Sequence, residues 1–298
     1  MNSRVAEQRI LRGTAGTLRW THLDENGTPS DPGAAVSVTV TEADGTAVTS
    51  GSATETGTAK TGEHTFALTA AQTASLHLLT VTWAVSGGGT FTTYAEVVGG
   101  FYFSLEDARK SDATLADVVK YPDALMLEVR REVEDEFEDI TGVAFVPRYA
   151  RLTLPGSGSA VLQPGARQIR SLRSARQYSD LSTASYTSLS ASEIAAVAVS
   201  STALTRTDGV WWDRGAGNLV IEIEHGYDRP PPTLKRAALT RLRHRLNFTK
   251  SGIPDRAQSF VVAEGGTFSL GQASKRKTGI PEVDAELARY FTPDVLVA

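Results

Sequence analysis

DALMLEVRREVEDEFEDITGVAFVPR, residues Asp123 to Arg148, reads as one acidic helix that stops at Thr141-Gly142 and runs into an extended segment. At about 100° per residue, Leu125, Met126, Val129, Val133, Phe137 and Ile140 fall within an arc of about 120°. Glu128, Arg131, Glu132, Glu134, Asp135, Glu138 and Asp139 take the rest of the circumference, and Leu127 alone breaks the pattern. Pro122 suits a first helical position, where a missing N–H costs nothing, and Gly142 suits a left-handed cap, so both ends are marked independently of the stripe. From Phe145-Val146-Pro147-Arg148 onward the pattern changes to strands.

Those strands are expected at Tyr149–Leu154, Ala160–Leu162, Ile169–Tyr178, Ser185–Leu189 and Asn218–Ile223. Ser192–Val199 fits a helix or a strand, because a short apolar run has no decisive period. A second helix, Leu234 to about Asn247, gathers Leu234, Ala238, Leu239, Leu242 and Leu246 on one side, and Pro230-Pro231-Pro232 blocks its extension backwards. Beyond it, Thr249 to Gly279 is too long for unsupported coil. Phe260–Ala263 and Thr267–Leu270 around Glu264-Gly265-Gly266 predict a hairpin there. An isolated hairpin is marginal in water, so a strand edge on a neighbouring subunit is the expected support.

Upstream, Val5 to Val98 reads as about seven short strands, clearest at Leu18–Leu23, Val36–Val40, His64–Leu68, Leu79–Val85 and Thr90–Val98. Apolar residues at every second position in Val36-Ser37-Val38-Thr39-Val40 bury one face of a strand. Asn26-Gly27 and Asp44-Gly45 signal hairpin turns. The spacing predicts an all-β immunoglobulin-like sandwich, with one helical turn at Thr69–Ala74 and a hinge at Gly99-Gly100. The fold class expected is thus α+β and multidomain: 1–98 sandwich, 101–147 acidic helical part, 148–228 β insert, and 229–298 basic helix, hairpin and C-terminal arm.

A chain of 298 residues supports two or more domains, and its zero cysteines exclude disulfides, thiolate metal sites and cysteine nucleophiles. Neither an apolar leader nor a spanning apolar run is present, so the expectation is a soluble protein that is not exported by that route. The net charge of −4 hides a separation: residues 101–142 carry 5 bases against 12 acids, and residues 229–277 carry 11 against 2. Complementary regions of this kind favour association.

No chemistry stands out. His22, His64, His77, His225 and His244 lack any metal-binding spacing, and Glu222 and Glu224 alternate with Ile221 and Ile223 as the solvated side of a strand. Pro155-Gly156-Ser157-Gly158-Ser159 lacks the nucleophile-elbow order, and no phosphate loop or dinucleotide fingerprint occurs. No cofactor, metal or catalytic residue is expected. Arg236, Arg241, Arg243 and Arg245 surround their helix without making one reading face for DNA, so pairing with acids of the long helix, in the same or an adjacent subunit, is the better assignment. Of the adjacent Trp211 and Trp212, one should be core and the other an interface anchor, with Trp212 the expected anchor; a sugar platform is the sharper alternative.

A helix ending in Thr141-Gly142 and followed by Phe145, Pro147 and Arg148, then a β region, then a helix after His225-Gly226-Tyr227-Asp228-Arg229-Pro230-Pro231-Pro232, resembles the head–tail connector adaptor family of long-tailed bacteriophages. Gly279-Ile280-Pro281-Glu282-Val283-Asp284 to Phe291 resembles that family's short C-terminal helix, and the likeness spans roughly residues 103–292. The resemblance implies a helical adaptor core carrying the β insert. It also implies a non-enzymatic ring, commonly of twelve copies, that sits beneath the portal in the virion neck, carries the stopper and tail, and passes DNA axially, with assembly in the bacterial host cytoplasm. It places portal contact in the C-terminal region: Lys275, Arg276, Lys277, Ile280, Val283, Leu287 and Phe291 are the candidates, with removal of residues 273–298 expected to spare the helices. Subunit-interface candidates are Arg236, Arg243, Glu132, Asp135, Asp139, Phe260, Val262, Phe268 and Trp212. Non-specific contact with passing DNA is a further candidate role for the basic residues. Rival readings are a tail terminator or other neck component, and a glycan-binding tail or surface module.

Overall fold

In the computed structural model, which describes residues 6–56, 62–180, 185–248, 259–261, 267–269 and 277–291, the chain is α+β and mostly β. It divides into two units, residues 1–100 with 147–226 and residues 101–146 with 227–298. The backbone therefore crosses between them three times.

The first unit opens with β1 (Gln8–Leu11), β2 (Gly16–Thr21), β3 (Val36–Glu42), β4 (Ala47–Ser52), β5 (Thr54–Glu55), β6 (Glu63–Leu68), β7 (His77–Val85) and β8 (Thr90–Val98). They form a five-stranded sheet, β1-β8-β7-β3-β4, and a three-stranded one, β2-β6-β5. The β1–β8 pairing is parallel and the other pairings are antiparallel. Strict alternation in β3 and the centre of β7 sends Val36, Val38, Val40, Leu79, Val81 and Trp83 into a core that Leu18 and Leu68 of the second sheet share. Thr69–Ala74 forms turns.

Residues 101–146 begin the second unit with α1 (Leu105–Ser111), a 3-10 turn at Ala113–Ala116, and α2 (Asp123–Thr141). Ser104 and Asp107 close a reciprocal capping box on α1. Gly142 ends α2 at φ 67°, with its N–H on the Glu138 carbonyl. Met126, Val129, Val133, Phe137 and Ile140 are buried as their spacing requires, whereas Leu125 joins Leu127 in solvent at the margin of the stripe. Two charged residues of α2, Glu134 and Arg130, are buried, the first against its polar assignment. Glu134 is fully buried, accepting the Tyr102 N–H at 2.9 Å. The Arg130 guanidinium lies 3.6 Å over the Phe101 ring. A carboxylate that caps a buried backbone donor avoids the cost of an unsatisfied group, which helical period does not encode.

The β insert returns the chain to the first unit as β9 (Arg148–Gly156), β10 (Val161–Leu162), β11 (Ile169–Asp180), β12 (Ser185–Ser188), α3 (Ala191–Ala195), β13 (Val197–Val199), β14 (Leu204–Arg206) and β15 (Gly215–His225). Sheets β12-β11-β15-β9 and β10-β14-β13 enclose Leu172, Leu204, Trp212, Leu219, Ile221 and Ile223. The ambiguous stretch 192–199 is helix and then strand, divided after a Ser190–Glu193 capping box. β14, short and flanked by polar residues, has no sequence signal of its own. Arginines bind the insert to the first two sheets. Arg148 reaches Glu96 at 2.8 Å, where Arg9 also lies, and Arg151 and Arg173 donate to the carbonyls of Ala43 and Leu76. At the seam Gly99 packs so closely on Pro147 that an added Cβ would sit 2.5 Å from the proline Cβ.

The remaining elements are α4 (Pro232–Phe248), β16 (Ser259–Val261), β17 (Thr267–Ser269) and α5 (Pro281–Leu287). Helix α4 begins on Pro232 itself, at a position that needs no N–H. Leu234, Ala238, Leu242 and Leu246 join the α2 stripe in the second unit's core.

Candidate assembly interface

Phe145 is the hub of the second unit. It stacks on Tyr227, with centroids 5.7 Å apart, and meets Tyr290 and Tyr102 edge-on at 5.0 and 5.8 Å. Tyr227 also donates its N–H to the Ala144 carbonyl at 3.1 Å, so the chain re-enters this unit where it left. The motif residues that carry the family resemblance thus have folding roles: Gly142 turns the backbone, Phe145 packs, and Pro147 and Arg148 start the insert.

The acidic and basic regions meet within one chain. Arg241 forks onto Glu136 at 2.7 and 2.8 Å, and Arg245 bonds Glu132 and lies 3.4 Å from Glu136. Arg243 reaches Asp112 at 3.8 Å and Lys235 reaches Asp107 at 2.9 Å. The Lys235 ammonium, with Ser104, holds the Asp107 carboxyl down at about 2. Two interface candidates, Glu132 and Arg243, therefore have intramolecular partners. Arg236 and Asp139 are exposed and Asp135 is half-buried. Burial, then the neighbouring Asp135 and Glu138, pushes the Asp139 carboxyl up. Like charges at a helix C-terminus oppose the dipole, so this end of α2 favours a cationic neighbour.

The C-terminal candidates do not form a detached arm. Val283 and Leu287 are buried in the unit's own core, with Ile280 and Tyr290 packed against them. Thr278 donates its N–H and hydroxyl to Asp284, and Thr233 bonds Glu286. Removal of residues 273–298 therefore strips core side chains from the helices instead of sparing them. Lys277 is exposed and Phe291 half-buried, while Lys275 and Arg276 lie outside the described residues. So does Val262; Phe260 and Phe268 stand opposite each other in the β16–β17 ladder, which pairs with no other described strand.

The tryptophan pair divides the other way from the expectation. Trp212 is enclosed in the insert core, donating its indole N–H to the Ala160 carbonyl at 3.1 Å, and Trp211 is 64% exposed. Adjacent residues point apart, but which one faces inward depends on the insert's packing. Just before Trp211, Arg206, itself buried and 5.6 Å over the Trp212 ring, bonds both oxygens of Asp208, and Asp208 accepts the Val210 N–H.

The histidines serve local packing. His22 Nδ1 lies 2.9 Å from the Ser30 carbonyl, His77 contacts Glu42 at 3.1 Å, and His225 sits in the β15 ladder. His64 stacks on Trp20, and burial holds its imidazole below the usual value, as it does for His77 and His244. Among the described residues no acid, histidine or cysteine group could hold a metal ion, and no helix is long and apolar enough to cross a membrane.

No protein-family model and no curated protein matches the chain. Among solved structures it is similar to a chain in the neck of an empty gene transfer agent particle computed with C6 symmetry. The two are 15% identical over 66% of this chain and 93% of that one, with a TM-score of 0.45. A chain in the virion of a native gene transfer agent particle gives 14%, 66%, 93% and 0.44. One in the neck of the native particle computed with C12 symmetry gives 14%, 68%, 98% and 0.41.

Proposed function

We propose that this protein is a non-enzymatic structural component of a phage-type virion neck. In this reading it is a head-to-tail adaptor whose copies close into a ring beneath the portal, join it to the stopper or tail, and leave an axial path for DNA. The observation that carries the reading is the second unit: residues 101–146 and 227–291 close one helical core across an intervening β insert. The adaptor resemblance, read from the motifs at both ends of that insert, implies this arrangement. The first hundred residues are an added immunoglobulin-like sandwich, a reading supported by two β sheets around the shared Leu18, Leu68 and Trp83 core. Rotational closure supplies the mechanism, since each copy presents one surface to a different surface of the next and the ring ends without an edge.

Lys275, Arg276 and Lys277 remain the proposed portal contact, because the adaptor resemblance puts that contact in the C-terminal region and these residues supply a run of positive charge there. Ile280, Val283 and Leu287 then act through the second unit's own core, and Phe291 stays a candidate contact. Native mass measurement of the purified protein, alone and with portal, tests the function. A closed oligomer that co-purifies with portal, and loses portal when the three basic residues become Glu, is expected. A protein that stays monomeric and ignores portal at all concentrations overturns the reading; co-purification with tail tube instead moves it one ring down the neck.

A further inference from the structure

The N-terminal sheets and the β insert pack as one unit but keep separate cores, with no side chain common to both. Charge crosses the seam between them. Arg151 donates to the Ala43 carbonyl at 2.7 Å and Arg173 to the Leu76 carbonyl at 2.5 Å, while Arg176 lies 3.7 Å from Asp44 and Arg148 reaches Glu96. Glu222 and Glu224, the residues expected to face solvent, sit 3.8 and 3.6 Å from Arg151 and Arg173 with their side chains only 14% and 21% exposed. The acids of β15 thus hold two arginines in position for the opposing backbone. A joint made this way opens at less cost than one made of shared apolar area, because separated charges regain their hydration.

His77 stands at this seam. It is the first residue of β7, one position after the carbonyl that Arg173 holds. Its ring lies 5.3 Å from that of Tyr149 in the insert, and its Nε2 is 3.1 Å from Glu42. Its Nδ1 is buried with no hydrogen-bond partner among the described residues. The groups that face the imidazole are Glu42 of β3, Asp44 of the turn after β3, Tyr149 of β9, Arg173 of β11 and Glu222 of β15. With the seam closed, a second ring proton is buried without an acceptor and close to a guanidinium; with the seam open, water solvates it. We propose that His77 is a proton-operated latch whose protonation releases the N-terminal sheets from the β insert. The inference goes beyond the ring reading and does not depend on it.

Burial, then Arg173, lowers the His77 pKa from 6.5, with Glu222 and Asp44 opposing. The histidine's contribution to the closed seam is therefore complete above 6.5 and is lost as pH falls through that value. Burial, then Asp44, raises the Glu42 carboxyl from 4.5, so proton uptake there favours closure and opposes the histidine. Acid opening thus belongs to the imidazole of this pair.

The test uses the full chain, which has no native cysteine. Ser50→Cys on β4 and Thr187→Cys on β12, both at exposed positions, carry nitroxide labels, and pulsed electron spin resonance reads their separation in protein diluted with unlabelled copies. One distance is expected at about pH 7.5. At about pH 5.5 a second is expected, its population up about ten-fold, because the released imidazole is then protonated by about ten to one. His77→Phe and His77→Gln, neither of which takes up a proton, should keep the single distance at both values. A control pair within the N-terminal sheets, Ser50→Cys with Thr92→Cys, should not respond to pH. A single distance throughout in the otherwise wild-type chain, an acid response that survives the His77 substitutions, or a control pair that spreads together with the first overturns the proposal.

Discussion

Phe145 and Tyr227 lie face to face with their ring planes 6° from parallel, one just before the β insert and the other just after it. Their contact closes the base of the insert within the second unit. Phe145 is fully buried, so Phe145→Ala should cost about 3–5 kcal/mol, read as a lower denaturant midpoint for the helical signal. Tyr227→Phe keeps the stack and should cost far less. Equal losses from the two would mean that the stacked ring is not what joins the ends.

Gly142 offers a separable test of backbone conformation. Nothing lies within 4 Å of the position a Cβ would take, and its φ is +67°. Gly142→Ala should therefore cost about 1 kcal/mol through conformation alone, and Gly142→Asn should recover much of it. Gly99→Ala, by contrast, forces Pro147 to move. A thermal-melt series in which Gly142→Asn is worse than Gly142→Ala would contradict the left-handed cap.

The Arg241–Glu136 fork joins α4 to α2 with side chains only 13% and 18% exposed. A double-mutant cycle with Arg241→Gln and Glu136→Gln should give a coupling of about 1–3 kcal/mol. Because Arg245 also approaches Glu136, Glu136→Gln should be the more damaging single change. A coupling near zero would assign this pair to the weak class of surface bridges.

His64 predicts a pH effect in the N-terminal sheets. Burial lowers its pKa from 6.5, His22 adds to the depression, and Glu55 and Asp31 oppose it; both ring nitrogens are buried without a hydrogen-bond partner. The unfolded chain takes up this proton more readily than the folded one. The histidine's contribution is therefore complete above 6.5 and is lost as pH falls through that value toward the folded pKa. His64→Phe should flatten the decline in stability between about pH 7 and pH 5. An unchanged slope would move the titration to other groups.

Truncation before Lys277 removes Val283 and Leu287 from the helical core. Each deleted buried side chain costs about 2–5 kcal/mol, so loss of the cooperative helical transition is expected in circular dichroism. Retention of that transition would show that α5 adds nothing to the fold.

The elements most legible in the sequence are those whose period and caps agree. Helix α2 carries a stripe plus Pro122 and Gly142, α4 carries a stripe plus Pro232, and β3 and β7 alternate. Each signal is local, and packing only has to accept it. The interface residues are harder to read because their roles depend on distant partners. Glu132 is engaged by Arg245, Glu134 is drawn inward by a backbone N–H from Tyr102, and Trp212 trades places with Trp211 because Arg206 and Ala160 receive it. The charge asymmetry is visible in the sequence, but composition does not distinguish intrachain pairing from pairing across subunits. Val283 and Leu287 belong to one helix on sequence grounds, and their burial becomes visible only once α4 lies against it.

The three backbone crossings between the units have a practical outcome for proteolysis. A nick at any one of them, at Gly100-Phe101, Val146-Pro147 or Gly226-Tyr227, leaves two covalent tethers intact. Two nicks still leave one, so a clipped molecule migrates as fragments in denaturant while remaining a single particle in native buffer.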